Sequence, residues 1–297
     1  MLQPTAGTGS QPLPPRYRYD VDDLEGRVTA WLNPTPGLRV SIVVRHPGGP
    51  NLVAIAPNAI FHAASTMKLP VLVELYRRVE VGSLTLDDTL TVTTAFRSLA
   101  GGSVFTLEVA DDSERGLYGR LGERVTVREL ARLMVTVSSN VATNMLVETL
   151  GAGAIRATMA EVGALSLCVL RGVEDGPAHD AGLDSTVTAG GLADLLDGLA
   201  RGHVVSPTAS REMVAILADQ AFNQGIPAGL PPGTRVAHKT GSITHLFHDA
   251  GIVLDGMAAP LVIVVLTEGL DEEVEAPALV AAVTREVYAG ITAAVRR

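Results

Sequence analysis

The feature that most constrains the fold is where the strand-like sequence lies in this 297-residue chain: near both ends, on either side of a long helical stretch. "LRVSIVVRH" and "NLVAIAP" flank "PGGP" and predict a β-hairpin, because extended apolar runs meet a Pro/Gly turn. Just before them, "YDVDDLEGRVTAWL" (19–32) predicts an amphipathic helix with acids in its first turn. From Ala63 to Gln220 the pattern is mostly helical, broken by glycine-rich sequence around Ala100–Ser103 and Gly172–Gly182. Strand patterns return as "TRVAHKTGS", "HDAGIVLD" and "LVIVVLTEG", and a helical pattern then runs from about Glu272 to the end. Helix–strands at one end and strands–helix at the other predict a single antiparallel sheet with helices packed on it, and a helical domain inserted in its sequence. The class is α/β in the α+β sense. The expected division is a flexible tail (1–18), a discontinuous sheet domain (19–62 and 221–297) and a helical domain (63–220).

Composition removes several function classes. With 47% hydrophobic and 19% charged residues there is material for a large core. A net charge of 23 − 32 = −9 argues against a nucleic-acid surface, which needs clustered Lys and Arg. No apolar run approaches the roughly 20 residues that span a bilayer. The single cysteine, Cys168, excludes an internal disulfide framework and is expected as a small core residue. The opening "MLQPTAGTGSQPLPP" reads as a flexible tail and not as a signal peptide. On that basis the protein is either cytoplasmic or, if an export signal was removed, secreted or periplasmic.

The chemistry is signalled by scarcity. Of 23 basic residues, 21 are Arg and only Lys68 and Lys239 are Lys. Arg keeps its proton in a protein, whereas a buried Lys can lose it and act as a base. Ser65 lies three residues before Lys68, so a helix starting there sets both on one face, one turn apart. That helix is apolar around most of its circumference (Met67, Leu69, Val71, Leu72, Val73, Leu75), so it is expected to be buried. Ser65 falls at its N-terminus, where free N–H groups favour a developing anion, and Pro70 loosens the first turn by removing a donor. Further on, Thr126 and Glu129 form a capping box for an apolar helix that breaks at Ser138-Ser139-Asn140 and resumes to Leu150. The third segment, "VAHKTGS", places Lys239 in a strand with Thr240, Gly241 and Ser242. It offers a cation, a hydroxyl and a glycine that allows close backbone approach. An exposed strand edge there can pair with an extended substrate.

Taken in order, Ser65-x-x-Lys68, Ser138-x-Asn140 and Lys239-Thr240-Gly241 resemble the three motifs of class A β-lactamases and penicillin-binding proteins. The resemblance covers roughly residues 20–297. It implies a β-lactamase/transpeptidase-like fold: a five-stranded antiparallel sheet flanked by N- and C-terminal helices, plus an inserted all-helical domain. It also implies a monomeric hydrolase acting on a small-molecule β-lactam or peptide-like amide, with no cofactor, nucleic acid or membrane partner. By resemblance Ser65 is the nucleophile and Lys68 its base. Ser138 passes a proton to the leaving nitrogen, and Asn140 holds the substrate amide and orients Lys68. Lys239 and Thr240 take the substrate carboxylate. Gly241 lets the strand approach, and the backbone N–H groups of Ser65 and Ser242 form an oxyanion hole.

The sequence departs from the family pattern in three places. Ser139 stands where the family has Asp, which predicts a changed local hydrogen bond without loss of activity. The family's deacylating Glu lies about 36 residues past the motif serine and is followed four residues later by Asn. Glu174 fits the first position, but Ala178 occupies the second. Glu174 is therefore the candidate base for the hydrolytic water, with Asp175 and Asp180 as fallbacks, and an acidic turn at 174–176 as the plain alternative. Residues 97–123 form an extra segment expected beside the cleft. His245 and His248 lack a third ligand at metal-binding spacing. His248 is a candidate second contact for a carboxylate, and otherwise both are polar strand-end residues. Rival functions on the same nucleophile are a D,D-peptidase, amidase or esterase, and a penicilloyl sensor that stays acylated.

Overall fold

The computed structural model describes residues 21–32, 37–257 and 259–295. The expected tail, 1–18, lies outside them. In chain order the first elements are α1 (Val21–Trp31), β1 (Arg39–Arg45), β2 (Asn51–Ile55), β3 (Phe61–His62) and α2 (Lys68–Glu80). Four short strands follow, β4 (Thr89–Thr91), β5 (Ala95–Arg97), β6 (Val104–Thr106) and β7 (Arg124–Thr126). Next come α3 (Val127–Thr136), α4 (Asn140–Leu150), α5 (Ala152–Glu161), α6 (Gly176–Asp180), β8 (Thr186–Val187), α7 (Ala189–Ala200) and α8 (Pro207–Ala218). The chain closes with β9 (Val236–Ile243), β10 (Leu246–Val253), β11 (Leu261–Glu268) and α9 (Glu275–Val295).

The expected sheet forms from both ends of the chain. Five strands run in the order β2-β1-β11-β10-β9, antiparallel throughout, with Ile42 opposite Val265 and Ala250 opposite both Val264 and Lys239. Successive side chains of a strand face opposite sides, and the core divides accordingly. Ile42 and Val44 pack with Leu24, Val28, Val280 and Val287 of α1 and α9. Val43, between them, packs in the larger cluster with Leu72, Leu130, Leu146 and Leu196 of the helical insert. Because helices cover both faces, the central strands read as near-continuous apolar runs; in β11 only Glu268 escapes full burial. β9 lies at the sheet's edge, as a substrate-pairing strand requires.

Within the insert, Thr126 caps α3 by accepting from the Glu129 N–H at 3.1 Å, one half of its capping-box pattern, while the Glu129 carboxylate pairs with Arg120. Glu74, with no side-chain exposure, accepts from Arg77 and Arg78 at 2.6 Å and from Thr158 Oγ1 at 2.5 Å, which pins α2 to α5. Three two-stranded pairs, β3–β8, β4–β7 and β5–β6, interrupt the helical pattern. Their strands, two or three residues long, carry no periodicity to detect. Cys168 is half-buried and not a core residue: its backbone bridges Thr186 while its neighbours Leu167 and Val169 point inward.

Candidate active site

The first motif sits on a strained turn. Ala64–Met67 form a 3-10 turn that leads straight into α2. Pro70 has no N–H to offer the Thr66 carbonyl, so regular α-helical bonding cannot begin one turn earlier. Ala64 takes φ 43°, a left-handed value that a non-glycine residue holds only where its surroundings over-determine it. Its N–H donates to His62 Nδ1 at 3.0 Å. Ser65 follows, half-buried, and lines a cleft of about 540 Å³ together with Ser138, Asn140, Glu174, Thr240 and Ser242. β9 passes close by: a Cβ on Gly241 would lie 3.0 Å from the Ser65 nitrogen and 3.1 Å from that of Thr66. Glycine at 241 is what lets the strand come this close to the Ser65 turn.

Both lysines are completely buried beneath this cleft and converge on one hydroxyl. Lys68 Nζ donates to Ser138 O (2.7 Å), Ser138 Oγ (3.0 Å) and Asn140 Oδ1 (2.9 Å). Lys239 Nζ donates to the same Ser138 Oγ (3.1 Å) and to Thr240 O (2.9 Å). Burial first, and then the like charge of Lys239, push the Lys68 ammonium well below its ordinary value, against the pull of Asp112 and Glu174. Burial brings Lys239 down to about 7, partly offset by Asp249. Two ammonium groups sharing one acceptor favour loss of a proton, and a neutral lysine can take the Ser138 proton instead of donating to it. Lys68, Ser138 and Lys239 thus form one continuous buried hydrogen-bonded chain. Ser138 holds its place with φ 58°.

Glu174 is presented by a loop clamped from α4. Asn144, one turn beyond Asn140, accepts from the Val173 N–H at 2.7 Å and donates to the Val173 carbonyl at 2.9 Å. The fit is tight enough that a Cβ on Gly172 would lie 2.3 Å from Asn144 Oδ1. Glu174 itself adopts φ 57°. Glu174 is exposed at the cleft, and partial desolvation of its carboxyl, then Asp111, push it up against the pull of Lys68 and Arg171. The fallback acids do other work. Asp175 is buried and spends both oxygens on the N–H groups of Leu99 (2.9 Å) and Ala178 (3.2 Å). Asp180 is exposed and does not line the cleft. Ala178, where the family pattern has Asn, is fully buried and has no polar side-chain atom for a water.

The extra segment lies beside the cleft, as expected. The turn of the β5–β6 hairpin carries Leu99, whose N–H donates to Asp175 beside Glu174. The following residues reach α4: Asp111 O accepts from Asn140 Nδ2 at 2.7 Å, and Asp112 accepts from the backbone of Asn140 and Val141. Asn140 still has one amide hydrogen for a ligand. His248 is not a carboxylate contact. It is completely buried, donates from Nε2 to His62 O at 3.0 Å, accepts from Thr267 N, and burial lowers its pKa to about 4. His245 is an exposed turn residue at φ 58°. Among the described residues no group of three His, Cys, Asp or Glu side chains is arranged to hold a metal ion, and no helix is long and apolar enough to cross a membrane.

Thus the residues picked out by sequence converge on one cleft, with Lys68 and Lys239 under its floor. Sequence reasoning missed Asn144 and Asp112. Asn144 was detectable, because it follows Asn140 at i+4 on the same helical face. Asp112 reaches α4 across 28 residues of chain and has no local signal.

Comparison with known proteins agrees with this geometry. No curated protein matches the chain. Among solved structures, a β-lactamase from Sphaerobacter thermophilus superposes with a TM-score of 0.77 at 24% identity, over 92% of this chain and 98% of that one. PBP-A superposes with a TM-score of 0.77 at 25% identity, over 96% and 98%. A PBP-A variant solved as an acyl-enzyme complex with penicillin G gives the same figures. The model of the Beta-lactamase enzyme family matches residues 23–291. The chain, with a serine-hydrolase-like fold of the penicillin-binding and β-lactamase superfamily, belongs to the Beta-lactamase enzyme family.

Proposed function

We propose that this protein opens β-lactam amide bonds through an acyl-enzyme on Ser65. The observation that carries the reading is the buried hydrogen-bonded chain from Lys68 through Ser138 to Lys239, beside a serine on a strained turn at the cleft. Neutral Lys68 takes the Ser65 proton as its oxygen attacks the carbonyl carbon. The oxyanion is met by the backbone N–H groups of Ser65 and Ser242. Ser138 gives its proton to the departing ring nitrogen and is reprotonated from Lys68 or Lys239. The C–N bond breaks, and the acyl group remains as an ester on Ser65. Lys239 and Thr240 hold the substrate carboxylate, Gly241 keeps the strand close, and Asn140 offers its remaining amide hydrogen to the acyl side chain. Glu174 then takes a proton from water as the water oxygen attacks the ester carbonyl; the C–O bond to Ser65 breaks, and the same proton, passed on from Glu174, returns to the Ser65 oxygen.

One observation favours a second reading. Ala178 gives no help in holding a hydrolytic water, so an enzyme using the same Ser65 ester slowly, as a D,D-peptidase, amidase or esterase, or a sensor that stays acylated, follows if Glu174 does not engage the acyl group. Incubation with labelled penicillin separates them. Transient label on the protein with release of the ring-opened product is the expected result. Permanent label identifies a sensor or a penicillin-inhibited peptidase, and no label with no turnover overturns the β-lactam reading.

A further inference from the structure

The steps just described leave unused a carboxylate set against the site. Asp112, buried to 5% exposure, lies in the extra segment after the 3-10 turn Val109–Asp111. Its Oδ2 accepts from the N–H groups of Asn140 and Val141, both at 2.9 Å, and from Ser139 Oγ at 3.3 Å, while Oδ1 accepts from the Glu114 N–H at 3.0 Å. Ser139 Oγ accepts in turn from the Ala142 N–H at 3.2 Å. The first three N–H groups of α4 are thus all bonded by two side chains, one from far along the chain. A carboxylate at the positive end of an 11-residue helix is well placed electrostatically, and its hydrogen bonds are the stronger, charge-assisted kind.

This matters because the turn being fixed is the one that holds Lys68. Ser138 O, Ser138 Oγ and Asn140 Oδ1 are the three acceptors of Lys68, and Ser138 sits in the left-handed region, where it stays only if its neighbours enforce it. Asp111, next to Asp112, fixes the Asn140 side chain from the other side.

We propose that Asp112 is a positioning residue for acylation: its carboxylate, delivered by the extra segment, locks the Ser138–Asn140 turn so that its three acceptors hold Lys68. The proposal rests on the Ser65 acyl-enzyme reading. Electrostatics acts in the same place. The charged groups facing Lys68 are Lys239, which lowers its proton affinity, and Asp112 and Glu174, which raise it. Loss of the Asp112 charge therefore makes Lys68 easier to deprotonate and moves the acid limb of acylation to lower pH.

The test is stopped-flow acylation by a penicillin from pH 5 to 9, on the full chain and on Asp112→Asn. The expected result is an acylation rate constant at least tenfold lower, substrate affinity changed less than threefold, and an acid limb shifted to lower pH. A carboxylate moved onto the helix cap itself, in Asp112→Asn/Ser139→Asp, is expected to restore the rate to within threefold. That double variant also carries the test if the single variant does not fold. Acylation of Asp112→Asn within twofold of the parent with an unmoved acid limb overturns the proposal, whatever happens to thermal stability. So does a folded double variant that remains tenfold slow. A parent that no penicillin acylates defeats the β-lactam reading itself and is told apart by that control.

Discussion

Lys239 gives the account its sharpest quantitative consequence. Its amine is buried and titrates at about 7, so the free enzyme holds this cation about nine times in ten at pH 6 and about one time in ten at pH 8. If a protonated Lys239 receives the substrate carboxylate, kcat/KM for an anionic substrate carries that titration, because kcat/KM reports the ionisations of the free enzyme. Lys68 titrates too, but in this mechanism it activates Ser65 and so affects charged and uncharged substrates alike. The ratio of kcat/KM for a penicillin to that for its methyl ester therefore cancels Lys68 and isolates Lys239. The ratio is expected to fall about tenfold from pH 6 to pH 8. In Lys239→Arg the same ratio is expected to be flat, because guanidinium keeps its proton throughout this range. A wild-type ratio that does not change between pH 6 and 8, or one that falls equally in Lys239→Arg, refutes the assignment of the carboxylate to Lys239.

Other predictions follow from the same geometry. Glu174→Gln keeps acylation fast but slows deacylation about 10²–10⁴-fold, so the acyl-enzyme accumulates in quench-flow mass spectra; wild-type turnover in this variant excludes Glu174 as the base. Lys68→Arg abolishes acylation, since arginine supplies no neutral nitrogen and is bulkier in a site with no exposure; an unchanged acylation rate makes Lys68 only a structural cation. Lys239→Met raises the melting temperature at pH 7 relative to wild type, and the difference shrinks toward pH 10. The sign follows because the folded amine titrates below its unfolded value of 10.5, so the unfolded chain binds more protons between the two values and wild-type stability rises with pH there.

Much of this was legible in the sequence because it was local or periodic. Strand patterns at both ends predicted a sheet built from both ends, and the capping box at Thr126 marked the start of α3. The scarcity of lysine singled out the two amines that meet at Ser138. What escaped was long-range. Asp112 supplies a carboxylate to α4 from a segment whose own sequence reads as a loop, and nothing local forecasts the partnership. His248 was a candidate carboxylate contact because a histidine's polarity is visible in sequence while its burial beside Phe61 is not. The bonding of Ser139 likewise depends on the packing of the extra segment: it caps α4 and donates to Asp112.

The central claim is that Ser65 becomes covalently acylated, and intact-mass spectrometry tests it directly. The protein mixed with a slowly turned-over β-lactam is expected to gain the mass of one ring-opened molecule, with peptide mapping placing it on Ser65. Ser65→Ala under the same conditions is expected to gain nothing. An adduct of equal yield on Ser65→Ala, or one mapped to another residue of the wild type, contradicts the account.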